Sequence, residues 1–331
     1  QHRVGRRPRQ PVMISDMDLA VRAVTYAAPL TQKVRPSAAP GSGHTKDDDS
    51  PVTVADFGVQ SLVTLYLQAK LGGGFRFLAE EDAATLQQSG PEMMEEVARL
   101  VNEFFPFHEI AGDRTAYTTA EVIEALTRAA DDGGREGEFW FMDPIDGTKG
   151  FLRGGQYAIA LGKVVQGELT LGVIGCPALP QNGVDISDTS GEGVIFCCTS
   201  SWAGCLTVPR CLELVTQKEV GWQEVMDPVR VNTNLDGGIV VTESLEATKD
   251  PSRGSFWTKV PKLDGCSAIP MDSMAKYCLV ARGDAHVYLR GAPTTTRAES
   301  VWDHVGALLV QGAGGRVTDY QNRPLDFGMG R

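Results

Sequence analysis

From residue 15 to 34 the apolar side chains Met17, Leu19, Ala20, Val24 and Ala27 recur at helical spacing, and Ser15 or Asp16 can cap the start. A turn-rich polar stretch over 36–49 follows. A second amphipathic run, 57–70, is stopped by Gly72, Gly73 and Gly74, which puts Asp56 at the junction between an extended segment and a helix. Residues 75–78 read as a short strand running into Glu80, Glu81 and Asp82. The patterns over 92–105 and 119–130 are helical, and 131–137 is a loop.

The apolar run 139–142 has the composition of a buried strand and leads into an expected turn, Asp143-Pro144-Ile145-Asp146-Gly147-Thr148. Strands are predicted at 157–165 and 169–174. Beyond the acidic, glycine-bearing loop 181–193, strands and helices alternate through 194–199, 238–242, 273–281, 285–289 and 302–311. This alternation predicts an α+β or α/β protein, with a domain boundary near Met226-Asp227-Pro228 that separates 12–226 from 227–331.

At 331 residues and 42% hydrophobic content the chain can bury a full core. Asp and Glu outnumber Lys and Arg by 42 to 31, and the net charge of −11 argues against a nucleic acid polymer as partner. Seven cysteines, with no paired spacing suited to zinc, are expected to be reduced thiols. No apolar run approaches the ~18 residues that span a bilayer, so no membrane partner is expected. Four arginines and no acid in the first ten residues fit an organelle transit remnant or simply upstream sequence. A cytoplasmic monomer is the expectation, with plastid or mitochondrion as the alternative compartment.

Candidate chemistry gathers at the Asp143 turn. Asp143 and Asp146 are three apart around Pro144, so two carboxylates and the Ile145 carbonyl can converge on a hard cation, for which six oxygens suit Mg²⁺ better than zinc. Gly147 permits close backbone approach, and the amides from Gly147 to Lys149 can receive a phosphate oxygen beside the Thr148 hydroxyl. Each acid has an ordinary explanation when taken singly: Asp56 and Asp303 are good helix N-caps, and Asp143 can stabilise a turn. Yet Asp56, Glu80, Asp143 and Asp303 each follow a hydrophobic strand or open an apolar helix, where a sheet can bring them together. Such a cluster repels strongly without a cation.

Five segments, KDDDSPVTVAD (46–56), LAEED (78–82), WFMDPIDGTKGFLRG (140–154), MDSMAKYCLVARGDAHVYLR (271–290) and WDHVGALLVQGAGG (302–315), resemble the lithium-sensitive, Mg²⁺-dependent phosphatase superfamily that contains inositol monophosphatase. The resemblance runs from about Met17 to Arg331. Within the superfamily, DGTKGFLRG, the Asp-Ser-x-Ala-Lys-Tyr run and the Val-Tyr-Leu-Arg strand look like the 3'(2'),5'-bisphosphate nucleotidase branch. The resemblance implies a layered αβαβα sandwich and two or three Mg²⁺ held by Glu80, Asp143, the Ile145 carbonyl, Asp146 and Asp303. It implies that Asp56 and Thr148 orient and deprotonate the attacking water, and that Gly147, Thr148, Ser273, Lys276, Arg290 and Asp303 face the substrate. The implied reaction removes the 3'-phosphate of adenosine 3',5'-bisphosphate. An inositol phosphatase of the same superfamily and a non-catalytic phosphonucleotide sensor are the alternatives.

Two departures from the family pattern stand out. Where members carry a His-Ser-x-His stretch, this chain has Lys249-Asp250-Pro251-Ser252, so Lys249 is the expected point charge against phosphate in place of histidine. The sequence also ends at Arg331 where the family continues with a strand and a helix, so these last elements are expected to be missing and an extended chain to be more stable.

Overall fold

The computed structural model describes residues 15–35, 44–45, 51–110, 112–183, 192–201, 204–209, 223, 226–245, 265–290 and 300–329. Helix α1 (Asp16–Val34) starts at Ser15, whose hydroxyl accepts the Asp18 amide at 3.1 Å, and the predicted apolar set is buried along it. The short strands β1 (His44–Thr45) and β2 (Pro51–Val52) pair antiparallel and lead into helix α2 (Val54–Leu71), which closes at Gly72 with φ +80°. Thr53, rather than Asp56, is the N-cap of α2. Asp56 sits one turn in, because a Thr-x-x-Asp spacing lets each side chain bond the other's backbone.

Seven strands form the main sheet in chain order: β3 (Phe77–Ala79), β4 (Glu138–Asp146), β5 (Ala158–Val165), β6 (Glu168–Cys176), β7 (Val194–Thr199), β8 (Cys205–Pro209) and β9 (Asp227–Val229). β3 and β4 run parallel, and the remaining neighbours are antiparallel. Between β3 and β4 the chain forms α3 (Ala83–Gln88), α4 (Pro91–Phe104) and α5 (Thr119–Arg128). A second sheet has β10 (Ile239–Ser244) at its centre, flanked by β11 (Cys266–Met271) and β12 (Val287–Tyr288), both parallel to it. The strands β8, β9 and β11 were not predicted. β9 is only three residues long, and the burial along β11 does not alternate, so neither shows a period of two.

Strand alternation divides the core. Along β4, Trp140 and Met142 point to the face covered by α1 and α2, while Phe139 and Phe141 point to the other. On that second face pack α7 (Ala275–Arg282) and α8 (Gly306–Gly312), sandwiched against the three-stranded sheet. The described residues thus form an α+β fold of four successive layers: helices, large sheet, helices, small sheet. The predicted helix at 302–311 divides into a 3₁₀ turn, Val301–His304, and α8. Among the described residues no helix is long and apolar enough to cross a membrane.

Candidate active site

Parallel strands bring residues of equal register side by side, and Ala79 pairs with Met142. The next residue on each strand is an acid, so Glu80 and Asp143 leave the carboxyl edge of the sheet together, the edge where open α/β sheets bind ligands. The Asp143 carboxyl is held well above the usual carboxylate range, first by burial and then by the charges of Glu80, Asp146 and Asp303, with a hydrogen bond to Glu80 adding to the effect. Its Oδ1 is buried and has no hydrogen-bond partner among the described residues.

The expected turn at Asp143 is instead the bulged end of β4. Asp143 pairs with Ala160 and Asp146 with Ala158, with a register shift between them. Pro144 has no N–H to give the ladder, so the strand bends there and delivers both carboxylates to the same end. Burial raises the Asp146 carboxyl to about 6, against the opposing charges of Lys276 and Arg290, while Asp303 adds to the rise. The Met274 amide donates to Asp146 Oδ2. A short helix, α6 (Thr148–Leu152), begins next, and Thr148 Oγ1 donates to the Ile145 carbonyl at 3.1 Å. Gly147 has φ +85°, and a Cβ there would lie 2.8 Å from Ser273 Cβ. Only glycine satisfies both conditions.

Asp56 and Asp303 reach the site in the same local way. Asp56 Oδ2 accepts the Thr53 amide at 2.8 Å and the Thr53 hydroxyl at 2.6 Å. Asp303 is the third helical residue after Ser300, the residue that actually caps the turn, and its Oδ2 accepts the Ser300 amide at 2.8 Å. The sequence reading of both acids as N-caps is therefore corrected to the third position of a reciprocal capping box. β2, at the entry to α2, packs against α6, so Asp56 and Thr148 belong to neighbouring segments.

Two of the residues expected to face substrate, Ser273 and Lys276, are buried. Ser273 is buried with φ +70°, and its Oγ accepts the Ala275 amide at 3.1 Å. Lys276 is 5% exposed, and its Nζ donates to the Met271 carbonyl at 3.0 Å and the Ser273 carbonyl at 2.5 Å, above the Tyr288 ring. Burial pulls its ammonium down to about 8, although Asp146 draws it upward. Arg290 Nη2 meets Asp303 Oδ1 at 2.9 Å. Lys249 lies outside the described residues. His304 Nδ1 lies 3.2 Å from Tyr277 Oη.

One supporting residue gave no signal in the sequence. Gln60, on α2, donates to the Glu81 carbonyl at 2.7 Å and accepts the Glu81 amide at 2.9 Å, pinning the loop that carries Glu80. A single glutamine in an amphipathic helix reads as surface.

A divalent cation fits the donor chemistry: hard carboxylate and carbonyl oxygens, an unpartnered buried oxygen on Asp143, and acids that raise one another's proton affinity. The ligand cage is not drawn closed. Arg290 engages Asp303, the Met274 amide engages Asp146, and no three acids among the described residues gather tightly enough to enclose an ion.

This fold and acidic site define the class: the chain belongs to the inositol monophosphatase family, whose profile matches residues 15–331. That family is generally metal-dependent. In sequence the chain is similar to the 3'(2'),5'-bisphosphate nucleotidase of Schizosaccharomyces pombe, at 35% identity over 96% of this chain and 88% of that protein. It is similar to the enzyme of the same name from Emericella nidulans, at 36% identity over 95% of this chain and 90% of that protein. The fold is shared with the extragenic suppressor protein SuhB of Bartonella henselae, with a TM-score of 0.54 and 18% identity over 93% of this chain and 88% of that one.

Proposed function

We propose that this chain is a Mg²⁺-dependent phosphomonoesterase that hydrolyses the 3'-phosphate of adenosine 3',5'-bisphosphate to give AMP and phosphate, and acts likewise on 3'-phosphoadenylyl sulfate. The observation that carries the reading is the electrostatic coupling of Glu80, Asp146 and Asp303 to Asp143, whose carboxyl burial and then those charges push well above the usual carboxylate range. Full-length similarity to bisphosphate nucleotidases supports the nucleotide as substrate.

Glu80, Asp143, the Ile145 carbonyl, Asp146 and Asp303 would hold two or three Mg²⁺. When bound, the cations supply Lewis-acid polarisation of the phosphate and neutralise charge developing on its oxygens. Asp56, its carboxylate fixed by Thr53, accepts the proton of the attacking water, and Thr148 orients that water. The Gly147 backbone, with no Cβ, lets the phosphate approach α6. Ser273, Lys276, Arg290 and Lys249 serve the nucleotide and its second phosphate. Arg290 is suited to exchange the Asp303 carboxylate for a phosphate, since its planar fork matches either.

Phosphate release from adenosine 3',5'-bisphosphate, inositol 1-phosphate and inositol 1,4-bisphosphate, with Mg²⁺ and with or without lithium, tests the reading. Adenosine 3',5'-bisphosphate is expected to be the preferred substrate, and lithium is expected to inhibit its hydrolysis. Asp143→Asn is expected to abolish release with an unchanged circular dichroism spectrum, because it removes charge at nearly constant volume. Preference for an inositol phosphate, or normal turnover by Asp143→Asn, would overturn it.

A further inference from the structure

Three consecutive residues, 272 to 274, meet the segment from Asp146 to Arg153 in reverse order. The Met274 amide donates to Asp146 Oδ2. Ser273 fills the space that a Cβ on Gly147 would take. Asp272 accepts from Arg153 Nη2 at 2.9 Å, and its Cβ and Oδ2 lie 2.7 and 2.8 Å from where a Gly150 Cβ would stand. The two stretches pass each other antiparallel, with the Asp146 carboxylate at one end and the Asp272–Arg153 pair at the other.

Helix α6 lies between these ends and has five residues. A helix so short has little stability of its own, so its orientation must come from what it packs against. Gly150 is wedged between Asp272 and the Gln156 carbonyl, 2.5 Å from its notional Cβ, and Arg153 caps the helix with its own amide on the Gly150 carbonyl at 3.1 Å. The Asp272 side chain is 8% exposed and that of Arg153 34%. The carboxylate is therefore the buried, fixed partner, and the guanidinium is drawn onto it from the rim. Ser273, in the left-handed region, needs fixed neighbours on both sides to stay there.

We propose that Asp272 is a positioning residue for the phosphatase reaction: through its ion pair with Arg153 it holds α6, and with it Thr148, in register with the Asp146 carboxylate. The role of Thr148 in this statement rests on the function proposed above.

Asp272→Asn keeps the shape and removes the charge, and Arg153→Met keeps the stem and removes the fork. Each is expected to lower kcat for adenosine 3',5'-bisphosphate by about 10- to 100-fold with little change in KM, the size of loss that follows an ångström of misplacement. The double variant is expected to be no slower than the worse single variant, because both remove one interaction. Arg153→Lys is expected to recover part of the loss. Hydrogen exchange supplies a readout independent of turnover: the Phe151 and Arg153 amides, bonded to the Gly147 and Gly150 carbonyls, are expected to exchange about tenfold faster in either variant. Arg153→Met, at the more exposed partner, carries the test if Asp272→Asn does not fold. Unchanged kcat with a lowered Tm, or losses that multiply in the double variant, would overturn the proposal. If the wild-type chain releases phosphate from none of the three substrates, the functional reading fails separately, and the exchange rates alone decide: unchanged protection of α6 overturns the latch.

Discussion

Replacing Gly147 with alanine brings two costs together that a second glycine, at the other end of α6, separates. At Gly147 the backbone has φ +85°, and the new Cβ would stand 2.8 Å from Ser273 Cβ and 3.2 Å from its Cα and N. The left-handed conformation costs an alanine about 1 kcal/mol. Ser273 cannot yield, because its own φ is +70° and the Met274 amide beside it is bonded to Asp146. Forcing a methyl group into such a contact costs roughly 1–3 kcal/mol more. Gly154 is the control: its φ is +71°, and among the described residues a Cβ there would meet nothing within 4 Å. Gly154→Ala is therefore expected to lower Tm by about 1–2 °C, and Gly147→Ala by on the order of 3–6 °C. Relief of the clash separates α6 from the Ser273 turn, so Gly147→Ala is also expected to lose about a hundredfold in kcat while Gly154→Ala keeps its turnover. Differential scanning calorimetry and phosphate release measure the two effects. Equal loss of Tm in both variants, or a Gly147→Ala turnover within about threefold of wild type, would refute the close approach as the source of the effect.

Two further outcomes follow from buried polar groups. Gln60→Leu leaves the Glu81 amide and carbonyl buried without their partner, so denaturant unfolding is expected to show a loss of about 2–4 kcal/mol, with turnover falling because Glu80 loses its anchor; an unchanged midpoint would contradict this. Glu109 is partly buried, which alone would raise its pKa, but hydrogen bonds from Tyr26 and Tyr66 and the charges of Arg22 and Lys70 outweigh burial and hold it below its ordinary 4.5. A lowered folded-state pKa stabilises above the unfolded value and is lost as pH falls through the folded one. The Tm of wild type is therefore expected to fall more steeply than that of Glu109→Gln below about pH 5; parallel Tm profiles would show that the cluster does not act through that charge.

Much of this molecule was legible in its residues because the relevant signals are local. The apolar spacing over 15–34 and 57–70 gave α1 and α2, and the glycines at 72–74 gave the end of α2. The acids Glu80 and Asp143 stood out because each directly follows an apolar strand, and parallel pairing of those strands does the rest. What the residues hid was partnership across the chain. Nothing local says that Ala79 pairs with Met142, that Lys276 turns inward to two carbonyls, or that Arg290 meets Asp303. N-capping, the ordinary explanation of Asp56 and Asp303 taken singly, falls instead to Thr53 and Ser300, three residues upstream, which complete a local capping signature with each acid. Pro144 suggested a turn, but a strand end can absorb proline as a bulge, and only the neighbouring strand decides between the two.

The capping boxes limit how this site can be re-engineered. Asp56 and Asp303 are each tied to the backbone at the start of their own helix, so neither can swing to follow a phosphate presented at a different height. A larger or differently branched substrate cannot be accommodated by new rotamers at these two acids. Under the proposed function, widening the range of molecules turned over would require shifting whole helices, and retargeting by single substitutions is better sought away from these two helix starts.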